Sequence, residues 1–155
     1  MNKKITRNLL MLFIGISVST YTYTNNTIFT EVSFGELIDK ITILSIKSER
    51  IKDTNKLYNI LTELETLENT LNETISLTPE QIELIKQLKQ INEKIWVIED
   101  DLRSKERAQE FDESFIQLAR NAYLTNDHRC AIKRTINELL GSRLIEEKGY
   151  TSYTT

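Results

Sequence analysis

The sequence predicts an all-α protein: a long antiparallel helical hairpin packed with an apolar first helix and two shorter C-terminal helices. Three observations carry this. The 155-residue chain has only four Gly and one Pro, too few for the many turns of a sandwich, barrel or βα repeat. Hydrophobic residues make up 39% and charged residues 28%, a balance suited to amphipathic helices with wide solvated faces. Leucine and isoleucine recur at alternating steps of three and four through the middle of the chain, the spacing of a helical stripe.

The first helix is expected over residues 33–52. Ser33 and Glu36 have the spacing of a capping box, in which each side chain would satisfy the other residue's backbone N–H. Leu37, Ile38, Ile41, Ile43, Leu44 and Ile46 cover most of its circumference, so this helix should be buried against both arms of the hairpin. Asp53, Thr54 and Asn55 then break the pattern and offer capping side chains. A second helix, residues 55–77, carries its stripe on Leu57, Ile60, Leu64, Leu67 and Leu71.

Thr78-Pro79-Glu80-Gln81 is the clearest punctuation: an N-cap, a proline where its missing N–H costs nothing, and a glutamine that completes a box. The longest helix follows over 79–107, with a heptad seam on Leu84, Leu88, Ile91, Ile95, Ile98 and Leu102. The short link between the second and third helices predicts that they pair antiparallel, stripe to stripe; an intermolecular coiled coil is the competing use of the same seam. Phe115, Leu118, Ala119, Ala122 and Tyr123 mark a fourth helix over 111–123. Thr125 or Asn126 would cap a fifth, carrying Ile132, Ile136, Leu139 and Leu140 and stopped by Gly141.

Residues 1–27 differ from the rest. Lys3, Lys4 and Arg7 precede an apolar run over 9–18 and small polar residues, the order of a secretory signal peptide. Ten apolar residues fall short of the roughly 20 that span a bilayer as a helix. The expectation is a targeting or membrane-associating segment at 1–27 ahead of one helical domain at 28–155. Export or membrane association follows if the segment acts as a signal, and a cytoplasmic location otherwise.

Counting excludes several chemistries. One cysteine, Cys130, rules out an intrachain disulfide, and one histidine, His128, rules out sites built on several imidazoles. A net charge of −3 argues against nonspecific nucleic-acid binding. No glycine-rich phosphate loop, nucleophile elbow or HExxH helix occurs, so no catalytic residue, metal site or cofactor is assigned.

Asp39 and Lys40 interrupt the apolar first helix, either as a buried ligand-binding pair or on its open side, with Glu36 and Lys40 forming an ordinary i,i+4 pair. Arg129, Lys133 and Asn137 share a helical face that could hold a phosphate or carboxylate. Together with Asp127 these give a candidate ligand site of Asp39, Lys40, Asp127, Arg129 and Lys133. Glu99, Asp100 and Asp101 point in three directions and read as solvated helix surface; Trp96 would close the edge of the bundle.

The run from Val32 to Leu44, with Phe111-Asp112, Leu118-Ala119-Arg120, Asn126-Asp127, Ile132-Lys133, Asn137, Gly141-Ser142 and Glu146-Glu147-Lys148, resembles the domain of unknown function 6165. That resemblance implies a bacterial or phage origin and a setting near surface-polysaccharide enzymes. It implies no catalytic residues. The leading functional expectation is a non-enzymatic helical interaction or scaffolding protein whose partner is another protein or a second copy. The alternative is an accessory factor or enzyme that binds an anionic small molecule such as a sugar-nucleotide.

Overall fold

The computed structural model describes residues 27–151. The expected targeting segment therefore lies, all but its last residue, outside the described residues. The backbone divides at Thr30/Glu31 into two units, and the described helices all belong to the second. They are α1 (Phe34–Arg50), α2 (Thr54–Thr74), α3 (Pro79–Ala108) and α4 (Glu113–Leu139). Among the described residues there is no strand, and no helix is long and apolar enough to cross a membrane.

Each helix starts on a side chain that accepts from an otherwise orphaned backbone N–H. Ser33 Oγ accepts from Glu36 N at 3.2 Å, and Asp53 Oδ1 from Lys56 N at 2.9 Å. Thr78 and Gln81 form the complete reciprocal box expected of them, and Asp112 Oδ1 accepts from Phe115 N at 3.0 Å. α3 ends on Gln109 in the left-handed region at φ 57°, and Gly141 takes the same region at φ 65° just past α4.

Two expectations about arrangement need correction. The fourth and fifth helices are one, since α4 runs 27 residues without a break. Thr125, Asn126 and Asp127 are cap-forming types, but no Gly or Pro accompanies them, and Phe115, Leu118, Ala122, Thr125, Arg129, Ile132 and Ile136 keep a three-four spacing throughout. The seam therefore never changes phase, and tertiary packing overrides a local capping preference.

The second correction concerns pairing. α2 packs on α1, and its backbone does not approach that of α3; the long hairpin is α3 with α4, joined by the turn 109–112. The link at 75–78 explains why. Ile75 is extended (φ −150°, ψ 147°), and four residues at roughly 3.3 Å each exceed the 8–10 Å between directly packed helices. Ile75 and Leu77 fill the gap by packing against the core. α1 does contact both α2 and α3, as its nearly all-round apolar surface requires, and it contacts α4 as well.

The central cluster draws one buried residue from each helix: Ile38, Leu71, Leu88 and Ile136. Ile38 and Leu88 are both fully buried, at 0% exposure. Every buried residue of α3 and α4 lies toward this end of the hairpin: Leu88 and Asn92 on α3, Lys133, Ile136 and Asn137 on α4. Truncating Leu88 to Ala removes the α3 member of the cluster and should cost about 2–5 kcal/mol. Val97→Ala, half-exposed toward the far end of α3, should stay within about 0.5 kcal/mol. Urea unfolding of the two variants checks the contrast.

Candidate functional site

Most of the sequence-selected polar residues converge where α1 crosses the α3–α4 hairpin, and Asp39 is the centre. Its carboxylate is 2% exposed on a helix that otherwise buries isoleucine and leucine. Arg129 Nε–H donates to Asp39 Oδ1 at 2.9 Å, and the Arg129 Nη2 group reaches Oδ2, a bidentate clamp. Asn92 of α3 donates through Nδ2 to Asp39 Oδ1 and to Thr42 Oγ1, both at 2.9 Å. The Thr42 hydroxyl in turn donates to the Asp39 carbonyl at 2.8 Å.

Lys133 of α4 extends the network. Its Nζ lies 2.6 Å from Glu36 Oε2, 3.3 Å from Glu146 Oε2 and 3.8 Å from Asp39 Oδ2. Burial opposes its charge, and the Glu36, Asp39 and Glu146 carboxylates outweigh that opposition, so the ammonium is held above its ordinary pKa. Arg129 is held above its ordinary value too, first through its hydrogen bonds to Asp39.

One turn further along α4, Asn137 ties down the start of α1. Its Oδ1 accepts from Gly35 N at 2.6 Å and from the Ser142 hydroxyl at 2.9 Å, while Ser142 Oγ accepts from Phe34 N at 3.0 Å. Two further N–H groups of the α1 N-terminus are thereby satisfied from the other end of the chain. Gly35 makes this approach possible: a Cβ there would stand 2.6 Å from the Lys133 carbonyl oxygen and 2.9 Å from Asn137 Oδ1.

Of the five candidate ligand residues, the fold joins Asp39, Arg129 and Lys133. Asp127 lines a cavity of ≈ 280 Å³ on the α4 surface that Lys133 also borders. Lys40 lies apart, paired at 2.5 Å with Glu63 of α2. The expected Glu36–Lys40 pair is replaced by Glu36–Lys133 and Lys40–Glu63, and Glu36 consequently does not reach back to complete the Ser33 capping box. Asn92, Thr42 and Ser142 join the site from outside those five. Asn92 sits beside the seam of α3, four residues after Leu88, and its polarity within an apolar stretch is the signal that marks it.

Elsewhere the polar groups read as surface. Arg103 bonds to Glu99 four residues earlier, and the Arg50 guanidinium lies 5.6 Å from the centroid of Trp96. Among the described residues no three His, Cys, Asp or Glu side chains are placed to hold a metal ion. Chemically, the site's cations already face carboxylates. Its arrangement acts as a charged tie between helices.

Fold and site together define a four-helix all-α domain whose first and last helices are joined by a buried ion-pair network. The chain belongs to the family of unknown function DUF6165, whose model matches residues 28–155. No curated protein and no solved structure matches it.

Replacing Asp39 by Leu strands Arg129 and should cost about 3–5 kcal/mol, whereas Asp39→Leu combined with Arg129→Met should lose less than Asp39→Leu alone. Denaturant unfolding of the set measures this. The raised Lys133 pKa sets a sign in pH. Its contribution is complete below the ordinary value of 10.5 and fades as pH climbs through the folded-state value. The stability gap between the native protein and Lys133→Met should therefore narrow above that pH and hold steady below it.

Proposed function

We propose that this protein is a non-enzymatic helical interaction module and that the outer half of its α3–α4 hairpin is the docking element. The observation that supports this is how burial is distributed along the hairpin. The outer halves of both helices contain no buried residue, although the apolar seam continues there through Ile98, Leu102, Phe115, Leu118 and Ala122. Two helices alone cannot close such a seam; a layer of packing is missing on its open sides. Val97, Ile116, Tyr123 and Leu124 add exposed apolar surface along the same stretch.

The tip carries Lys105, which bridges Glu110 at 2.8 Å and Asp112 at 2.9 Å, and an edge-to-face contact of Phe111 with Phe115. A half-closed helix pair suits a protein partner that supplies one or two further helices, either another chain or a second copy.

A second reading is favoured by the cavity of ≈ 280 Å³ beside Lys133 and Asp127, where Lys133, Arg134 and Lys148 would meet the charge of an anionic small molecule of the sugar-nucleotide class. A thermal-shift panel of anionic metabolites separates the two. Reproducible stabilisation by one ligand class supports the cavity reading.

For the leading reading, light scattering after size exclusion and affinity capture are compared for the native chain and a Val97→Glu/Ile116→Glu variant. Self-association or a captured partner is expected with the native chain and should drop at least about tenfold in the variant, as two charges placed in an apolar contact require. A native chain that stays monomeric and captures nothing the variant fails to capture would sink the proposal.

A further inference from the structure

Residues 143–151 carry no helix or strand, and each of them is exposed. The backbone hydrogen bond from Ser142 N to the Asn137 carbonyl at 2.8 Å ends the regular pairing of the chain before this segment begins. What holds the segment against the helices beyond that point is charge. Glu146 meets Lys133 at 3.3 Å, Glu147 meets Arg134 at 3.0 Å, and Arg143 pairs with Glu31. Lys148 pairs with Glu146 inside the segment and completes the cluster. Leu144 and Ile145 are only partly sheltered, at 38% and 42% exposure, and supply no buried anchor.

Beside these contacts lies the ≈ 280 Å³ cavity. Cys130, Lys133 and Arg134 of α4 form one side of it, and Glu146, Glu147 and Lys148 of the segment form the other. The segment is thus a wall of the cavity, attached by partly exposed ion pairs. Such pairs are weak individually and are screened by salt, whereas the buried Asp39–Arg129 tie is screened far less.

We propose that residues 143–151 are an electrostatic strap that docks on Lys133 and Arg134 at low ionic strength, and that its release opens the cavity and exposes the Cys130 thiol. Docking leaves Lys133 with three carboxylates; release leaves it with Glu36 and Asp39, and leaves Arg134 with Glu138. Both cations keep a partner in either state. That is why the strap can move at little cost, and why ionic strength decides its position.

Cys130 is half-buried and is the sole cysteine of the chain, so all labelling reports on one thiol. The protein is labelled with N-ethylmaleimide, a neutral reagent, and rates are taken from pH profiles so that they are compared per thiolate, which separates exposure from a change in thiol ionisation. Salt is raised from about 0.05 M to about 0.5 M, which shortens the screening length from roughly 14 Å to roughly 4 Å. The native chain should label about fivefold faster at the higher salt, and Glu146→Gln/Glu147→Gln should label fast at both. Arg134→Gln, which removes one pair from the helix side, provides an independent variant with an intermediate rate at low salt. Thermal melts monitored by circular dichroism confirm that every protein is folded during labelling. Rates that are indifferent to both salt and charge removal overturn the strap, and so does a Glu146→Gln/Glu147→Gln variant that still needs salt to react.

Discussion

A buried carboxylate organises this domain. Asp39 sits within the most apolar of the four described helices, where an unpaired charge would cost several kcal/mol, so the surrounding helices must meet it with donors. α3 supplies Asn92 and α4 supplies Arg129 and Lys133. Each donor has a narrow range of positions from which it can reach the carboxylate. Apolar burial alone would let α1 slide or rotate on the α3–α4 hairpin at modest expense, because isoleucine and leucine faces repack tolerantly. The polar tie removes that freedom. The cluster of Ile38, Leu71, Leu88 and Ile136 provides the driving force for burial, and the network around Asp39 selects the angle and register at which it occurs.

The same division separates the two ends of the hairpin. Near α1, four helices contribute to one core and polar side chains are locked into specific pairs. Toward the 109–112 turn only two helices remain, and the seam residues there are half-buried. A structure that concentrates its stability at one end leaves the other end free to present a surface. The lengths are telling: α3 and α4, at 30 and 27 residues, span about 45 Å and about 40 Å, whereas the 17 residues of α1 span about 26 Å and lie across one end of the pair.

Much of the local structure is legible in the sequence because it rests on local chemistry. The Thr78-Pro79-Glu80-Gln81 box, the Asp53 cap and the Gly141 stop each need only a few adjacent residues, and all three stand where the sequence places them. What eludes the sequence is partnership. The stripes of α2 and α3 match in period, yet period carries no information about which stripe meets which, and Ile75 and Leu77 in the link hold the two helices apart. The continuity of α4 is concealed because Thr125 and Arg129 occupy seam positions with polar side chains, and Arg129 does so in order to reach Asp39. Part of the site is legible by the same logic. An aspartate inside an apolar helix announces an unusual environment, but that Lys40 turns away to Glu63 while its neighbour turns inward depends on where α2 lies.

The stitch at Gly35 bears on how the chain reaches its native state. The first turn of α1 donates hydrogen bonds to the Asn137 and Ser142 side chains, across separations of 102 and 108 residues. During synthesis the ribosome releases α1 long before it releases those partners, so a nascent chain holds an apolar helix whose end is unsealed and whose Asp39 lacks Arg129. Contacts of such long range are the slowest to form, and the surface waiting for them is open to wrong associations meanwhile. Completion of this domain is consequently a late event: α1, the first of the described helices to emerge, is among the last to be secured.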